Sequence, residues 1–309
     1  MSDLTDPTRA TSSAFKRRTF VGLSTGAASF GGAAVAGLAA PAPTYGQPHS
    51  PIVSENDPDI EAQPLQLTYQ FRGSIRAINS YTARPVKARP STPGVVVVQA
   101  AWGVDTQLRD VVRRLAKAGY VAIAPDLYSG MGAPSGDGSN DFAAFRPFLS
   151  RLDDDTVDHD LQQGAVYIHR QGDNSAKVGV VGFCNGGGIT LRQTVDSIST
   201  FKAASVFYGK VRYSASGTND GQIVPIDVGY AAAMGVPVVG SWGGRDTSIL
   251  PDDVRALEAR LTDLNKPHDF ALYDEAGHGF FDDTRSSYVA SAANDAWQRT
   301  ISWFRRFLV

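Results

Sequence analysis

The stretch from Val178 to Gly188, VGVVGFCNGGG, constrains the fold of this chain more than any other. Its first part is apolar and β-branched, as in a parallel strand that is covered on both faces. Gly182 and Gly186 then flank Cys184, the only cysteine in the chain. A sharp turn strains its tip residue and leaves no room for side chains two positions away on either side. The stretch therefore predicts a strand, a tight turn with Cys184 at its tip, and a helix that begins near Gly186.

The Gly-Phe-Cys-Asn-Gly pattern resembles the nucleophile turn of α/β-hydrolases, with a thiol in place of the usual hydroxyl. A thiol nucleophile needs a base, and the base needs an orienting group. In α/β-hydrolases these follow in the order nucleophile, acid, histidine. Asp246 comes after a predicted strand in a glycine-rich loop, and His278 comes after the next one, between Gly277 and Gly279. We therefore predict Cys184, Asp246 and His278 as a catalytic triad.

Each of these residues also has a purely structural interpretation. Cys184 could be a buried cysteine at a strand end, Asp246 a loop cap and His278 a surface histidine. Asp274 competes for the role of the acid, although its place next to the strand end favours a turn. The correct order of three residues, each at the end of a strand, favours the triad over these alternatives.

Carbonyl attack by the thiolate produces an oxyanion, which requires backbone N–H donors. The N–H of Asn185, the residue after the nucleophile, is one expected donor. The second usually comes from the loop after an earlier strand, which here is Ala101. His278 can accept the proton of the thiol, and the dipole of the following helix favours the thiolate.

The rest of the chain alternates strands and helices, which predicts one mostly parallel, doubly wound α/β domain with helices on both faces over residues 65–309. A hairpin at the sheet edge is expected over Leu65–Phe71 and Ser74–Ala83. Further strands are predicted at Gly94–Gln99, Tyr120–Ala124, Lys177–Val181, Phe201–Tyr208, Val236–Ser241 and Asp269–Tyr273. Helices are predicted after Asp105 and at Asp160–Arg170, Asp252–Leu264 and Ala293–Phe307. The polar loops 129–139 and 212–221 are expected near the site.

The N-terminal region has the features of an export signal. Arg17 and Arg18 stand three and two residues before Phe20, which resembles a twin-arginine signal, and a Gly- and Ala-rich apolar stretch follows. We expect residues 1–46 to be a signal peptide with its processing region, and 47–64 to be a linker. The twin-arginine translocase would be a partner during export. The mature protein would be periplasmic or extracellular, without stable membrane insertion.

Composition excludes several classes of function. A formal net charge of -2 over 309 residues gives no reason to expect a nucleic-acid partner. A single cysteine excludes an intramolecular disulfide and a cysteine-based metal site. The five histidines form no pair at zinc-ligand spacing. We therefore expect no metal and no cofactor, and a small-molecule substrate.

Several further stretches resemble the dienelactone hydrolases, the cysteine branch of the α/β-hydrolases. They recur in order from about Ile75 to Phe307: Gln99-x-x-Trp-Gly-Val104, Gly119–Tyr128, Val178–Gly187, Gly243–Asp246, and Glu275–Phe280 with Tyr288–Ala293. The resemblance implies the triad named above. It also implies cofactor-independent hydrolysis of cyclic enol-lactones.

Two departures from the family pattern bear on mechanism and substrate. In the family a glutamate that helps to ionise the thiol follows the residue matching Gln99, and Ala100 stands there instead. His278 would then have to activate the thiol directly. An arginine that holds the substrate carboxylate lies four residues past the family's histidine, and Asp282 stands there. The spacing argues against a simple replacement by Arg285. Because Asp282 and Asp283 would repel an anion, we expect a less anionic ester or lactone.

The substrate pocket is the least determined part of the sequence. Its candidate lining residues are Trp102, Tyr128, Phe142, Phe280, Phe281 and Arg146. For each of the aromatic residues, packing in the core is the favoured alternative. A non-catalytic ligand-binding homologue is an alternative to the hydrolase, as is an acyltransferase or a peptidase with the same triad.

Overall fold

The computed structural model describes residues 52–172, 176–211 and 229–309. The predicted signal peptide, the first residues of the predicted linker and the loop 212–221 lie outside the described residues. Within the described ranges, no helix combines the length and the apolar character needed to cross a membrane.

The described residues form an eight-stranded sheet with the strand order β1-β2-β4-β3-β5-β6-β7-β8. The strands are β1 (Ile60–Phe71), β2 (Ser74–Pro85), β3 (Gly94–Val98), β4 (Val121–Pro125), β5 (Val178–Phe183), β6 (Ala203–Phe207), β7 (Val238–Gly243) and β8 (His268–Tyr273). The strands β1 and β2 form an antiparallel hairpin, and β2 pairs antiparallel with β4. All other pairs are parallel. The fold is the predicted mostly parallel α/β sheet with an edge hairpin.

Six α-helices lie in the described ranges, with a 3-10 helix at Gly229–Ala232. They are α1 (Thr106–Lys117), α2 (Phe142–Leu149), α3 (Asp154–Arg170), α4 (Asn185–Asp196), α5 (Pro251–Asp263) and α6 (Ala290–Leu308).

Helices cover both faces of the sheet. A side chain at Gly94 would strike Ile168 of α3, and one at Gly179 would strike Phe304 of α6. Gly179 is the register partner of Val95, so Gly94 and Gly179 point to opposite faces. The helices α3 and α6 therefore lie on opposite faces, which explains why every residue of β3, β4 and β5 is buried.

The predicted linker is wrong at its C-terminal end. Residues 60–64 belong to β1, which starts five residues earlier than expected. Pro64 lies in this strand; because β1 is at the edge of the sheet, the missing N–H of proline breaks no essential ladder bond. Val53 is also ordered, because its amide donates to Asp110 (2.9 Å) and its carbonyl accepts from Arg113 (2.6 Å).

Two helical segments differ from the sequence prediction. The helix α3 begins at Asp154, six residues earlier than predicted, after the N-cap Asp153. Acidic residues in its first turn complement the helix dipole. The helix α2 was not predicted; the side chain of its N-cap Asp141 accepts from the amide of Ala144.

Candidate active site

The turn after β5 has the predicted geometry. Cys184 has a φ of 55°, in the left-handed region that non-glycine residues rarely adopt. A Cβ atom at Gly182 would lie 2.1 Å from the carbonyl oxygen of Gly186. One at Gly186 would lie 2.3 Å from the carbonyl oxygen of Gln99. The two glycines are therefore required by close backbone approaches, and α4 begins directly after Cys184, as predicted.

Three residues predicted from distant parts of the sequence meet at this turn. His278 Nε2 lies 3.1 Å from Cys184 Sγ. His278 Nδ1 lies 2.7 Å from Asp246 Oδ2. The other carboxylate oxygen of Asp246 accepts the amides of Ser248 (2.8 Å) and Ile249 (2.9 Å), which orients it towards the imidazole. The result is a continuous hydrogen-bonded chain from carboxylate to imidazole to sulfur.

The electrostatics of this chain favour a protonated imidazole. Burial by itself lowers the pKa of His278, but the hydrogen bonds and negative charges of Asp246 and Cys184 outweigh it and raise the pKa to about 10. Burial raises the pKa of Asp246, and the hydrogen bonds from His278 and from the amide of Ile249 reverse this and lower it. The arrangement can hold an imidazolium next to the sulfur near neutral pH.

The two predicted oxyanion donors lie on adjoining segments. Asn185 is the first residue of α4, and first-turn amides have no carbonyl partner within their helix. Ala101 follows β3 in a turn that Gly103 closes with a long bond to Ala100 O (3.4 Å). The close contact of Gly186 with the end of β3 brings these two segments together.

The structure places the predicted pocket residues in different environments. Phe280 and Phe281 are 0% and 2% exposed, so they pack in the core and offer no surface to a substrate. Tyr128 is also buried, and its hydroxyl donates to Ala101 O (2.9 Å). Trp102 is half-buried and Phe142 is exposed, with their ring centroids 6.2 Å apart.

Arg146 lies at the surface in α2. Its side chain is placed over the ring of Phe142, with the guanidinium carbon 5.8 Å from the ring centroid. Arg146 is therefore tied to an exposed aromatic residue at the start of α2, and nothing in its contacts links it to Cys184.

The sequence prediction missed a charged cluster beside Trp102. Arg285 donates to Asp282 Oδ2 (2.8 Å), lies 3.6 Å from Asp105 Oδ2, and stacks on Trp102 at 3.8 Å from the ring centroid. Asp283 is similarly paired, with Arg114 at 2.6 Å. The arginine partners weaken the predicted repulsion of a substrate anion by Asp282 and Asp283.

Asp105 is a destabilised anion. Burial raises its pKa to about 7, and the nearby Asp282 adds to the shift; the amide of Leu108 and the charge of Arg285 oppose it. Its N-cap role, predicted from the sequence, is confirmed by the bond from the Leu108 amide (2.9 Å).

Tyr208 is a further residue that the sequence prediction did not single out. It follows β6 with a φ of 39°, and its ring lies 5.1 Å from the His278 ring. Tyr208 lies just past the end of β6, which is adjacent to β5. This position could have identified it from the sequence as a residue near the site.

Among the residues that the structure describes, no three or more His, Cys, Asp or Glu side chains are grouped so that they could hold a metal ion.

A mostly parallel sheet with helices on both faces, and a strained strand-turn-helix at its centre, defines the α/β-hydrolase class. Within that class, a family model described as the dienelactone hydrolase family matches residues 78–308. The chain therefore belongs to the dienelactone hydrolase family, and it is a hydrolase.

Individual relatives agree with this assignment. One from Escherichia coli K12, whose name gives carboxymethylenebutenolidase as an inferred activity, is 37% identical over 232 residues, covering 74% of this chain and 82% of the relative. One from Bradyrhizobium, named as an inferred 2-oxo-3-(5-oxofuran-2-ylidene)propanoate lactonase, is 30% identical over 227 residues, covering 73% and 88%. A crystal structure from Klebsiella pneumoniae, described as an inferred dienelactone hydrolase, shares 32% identity with a TM-score of 0.69, covering 80% of this chain and 99% of that one.

Proposed function

We propose that this protein hydrolyses carboxylic ester or lactone bonds through a thioester on Cys184. The observation that carries the proposal is the hydrogen-bonded chain from Asp246 through His278 to the sulfur, with bonds of 2.7 and 3.1 Å. The thiolate attacks the substrate carbonyl carbon, and the amides of Ala101 and Asn185 stabilise the oxyanion. His278 then donates its proton to the leaving alkoxide as the C–O bond breaks.

The second half of the reaction returns the enzyme to its starting state. His278, now neutral, accepts a proton from water as the water oxygen attacks the thioester carbonyl. Collapse of the second oxyanion breaks the C–S bond and releases the carboxylic acid. The thiolate and the imidazolium are restored as a pair.

His278 performs the ionisation of the thiol without help from the position after Gln99. Ala100 has no proton acceptor there. The contact of 3.1 Å between sulfur and imidazole, together with the raised pKa of His278, supports direct proton transfer to the imidazole.

The substrate is an ester or lactone of low negative charge. The names of two relatives specify lactone substrates or lactonase activity, which supports the bond type. Arg285, the cation nearest to the position of the family's carboxylate-binding arginine in sequence, is already paired with Asp282 and lies near Asp105. It is therefore not free to hold a substrate carboxylate.

We also propose that the protein is exported by the twin-arginine route, on the strength of Arg17 and Arg18 before Phe20. Replacing both arginines with lysine should leave the protein in the cytoplasmic fraction of its host. Unchanged export of the double variant would contradict this proposal.

The activity is tested with a series of p-nitrophenyl esters and neutral lactones, comparing the wild type with Cys184→Ala. The alanine variant should lose turnover by at least about three orders of magnitude, because the covalent step is removed. Equal rates for the two proteins would reject Cys184 as the nucleophile. Binding of substrates without turnover by the wild type would indicate a ligand-binding homologue instead.

A further inference from the structure

Tyr128 lies at the end of β4, next to the loop that carries Ala101. The amide of Tyr128 donates to Asp126 Oδ1 (2.9 Å), and the amide of Leu127 donates to Gln99 Oε1 (3.0 Å). The second bond ties the backbone before the tyrosine to Gln99, the residue after β3, and the first fixes the local turn. The ring itself is buried, with Phe148 of α2 at a centroid distance of 5.9 Å. The position of the hydroxyl is therefore determined by the surrounding structure.

The turn from Ala100 to Gly103 is weakly held by its own backbone hydrogen bonding. The turn is closed by one long bond, from the amide of Gly103 to Ala100 O at 3.4 Å. Gly103 has a φ of 75°, so the chain turns sharply there. The N–H of Ala101, at the corner of the turn, takes no part in that closing bond. The bond from Tyr128 Oη to Ala101 O is shorter, at 2.9 Å.

We propose that Tyr128 is a positioning residue for the oxyanion site: its hydroxyl holds the Ala101 carbonyl and thereby keeps the Ala101 amide aimed at the reacting oxygen. This inference rests on the proposed function, in which the Ala101 amide is an oxyanion donor. Without the bond from Tyr128, the peptide unit between Ala101 and Trp102 can rotate. The peptide unit between Ala100 and Ala101, which carries the Ala101 amide, is then held by the long turn bond from Gly103. A preorganised donor gains its catalytic value from being already oriented when charge develops.

The protonation state of Tyr128 suits this role. Burial raises the pKa of the phenol far above its usual value; the nearby Gln99 side chain opposes the shift, and the charges of Asp126 and Cys184 add to it. The hydroxyl therefore remains a donor over the whole range in which the enzyme is assayed. The influence of Cys184 also indicates that the phenol lies within electrostatic reach of the sulfur.

The experiment compares Tyr128→Phe with a matched control, Tyr120→Phe. Tyr120 is equally buried, but within the described part of the chain its hydroxyl has no hydrogen-bond partner. For each variant, kcat and KM are measured on one neutral p-nitrophenyl ester. In parallel, the rate of Cys184 alkylation by iodoacetamide is measured. In that reaction the sulfur displaces iodide from a saturated carbon, so no oxyanion forms.

Tyr128→Phe should lower kcat at least about tenfold. This is less than the fall in kcat expected when an oxyanion donor is removed completely. Its KM should change less than about twofold, and its alkylation rate should match the wild type. Tyr120→Phe should match the wild type in all three measurements. An unchanged kcat in Tyr128→Phe overturns the inference, as does a parallel loss of turnover and alkylation, which would indicate general distortion. Absence of any Cys184-dependent turnover in the wild type would instead reject the proposed function, and the inference with it.

Discussion

Asp246, through its hydrogen bond and its charge, contributes to how strongly His278 holds its proton. Its carboxylate has no exposed side-chain surface, is oriented by two backbone amides, and lies 2.7 Å from His278 Nδ1. The imidazolium is the acid that protonates the leaving alkoxide in the proposed reaction. Activity should therefore persist to an unusually high pH and fall only as His278 loses its proton, near pH 10.

The variant Asp246→Asn should shift this alkaline limb to lower pH. Loss of the negative charge removes a contribution that raises the pKa of His278, so the imidazolium deprotonates earlier. The pH dependence of kcat from pH 6 to 11 measures the shift, and kcat at its maximum should fall at least about tenfold. A limb that stays at the wild-type pH would show that the carboxylate does not control the imidazole.

At the scale of elements, the strand-turn-helix around Cys184 depends on glycines whose neighbours are backbone atoms. A Cβ at Gly182 would lie 2.1 Å from Gly186 O and 2.3 Å from Thr190 Oγ1. Gly188, four residues past the turn, differs. A Cβ there would lie 3.4 Å from its nearest neighbour atom, in Lys210, which is tolerable contact.

Gly182→Ala should therefore destabilise the protein by at least about 2 kcal/mol and disturb the turn, because backbone atoms cannot move aside. The matched control Gly188→Ala lies inside α4 and should be neutral or stabilising by up to about 1 kcal/mol, since alanine favours a helix. Urea denaturation of both variants gives the comparison. Equal stability of the two variants would contradict the steric account of the turn.

Arg285 connects the segment after His278 with the segment that leads into α2. It bonds to Asp282 on its own segment, and to the carbonyl of Ser139 and the side chain of Asn140 on the other. Arg285→Met should cost about 2–4 kcal/mol of stability, because buried carboxylates lose their partner.

The control for Arg285 is Arg299→Met. The Arg299 side chain is 22% exposed and pairs with one partner, the half-exposed Asp269, so its replacement should cost less than that of Arg285, at about 1 kcal/mol. Thermal unfolding of both variants is compared with the wild type. A similar loss for the two would show that the cluster around Arg285 has no special structural importance.

Across the whole molecule, the sequence was informative where the pattern is local. Buried strands such as Gly94–Val98 are continuous apolar runs in the sequence, so the sheet could be predicted. Cys184, Asp246 and His278 each follow a predicted strand, so their meeting at one edge of the sheet could also be predicted. Side-chain bonds between distant loops could not be predicted from the sequence. The bond between Arg285 and Ser139 joins residues 146 positions apart, and no local pattern encodes it.

The prediction of secondary structure missed one helix because that helix also depends on tertiary contacts. The helix α2 is rich in phenylalanine and contains Pro147, so it has no clear polar face and lacks a helical signature in sequence. Its rings are held by tertiary contacts, such as Phe145 with Trp102 at a centroid distance of 5.3 Å. The burial of Phe280 and Phe281 was likewise unpredictable, because an aromatic residue after a strand can equally line a pocket.

The charges at the site predict which of two esters of the same acyl length is hydrolysed faster. Arg285 is bonded to Asp282 and lies 3.6 Å from Asp105, so its charge is already balanced within the protein. A p-nitrophenyl butyrate ester should therefore be hydrolysed with a kcat/KM at least about tenfold above that of mono-p-nitrophenyl succinate, which has the same acyl length and an added carboxylate. A clear preference for the succinate would contradict the low-charge substrate class.

The central claim is that the reaction passes through a thioester on Cys184, and mass spectrometry of the enzyme during turnover tests it most directly. Rapid acid quenching after mixing with excess p-nitrophenyl ester should reveal a mass increase of one acyl group. Peptide mapping should locate it on Cys184, and hydroxylamine should remove it. Cys184→Ala should show no adduct. Turnover by the wild type with an acyl group on another residue, or an adduct that persists in Cys184→Ala, would contradict the account.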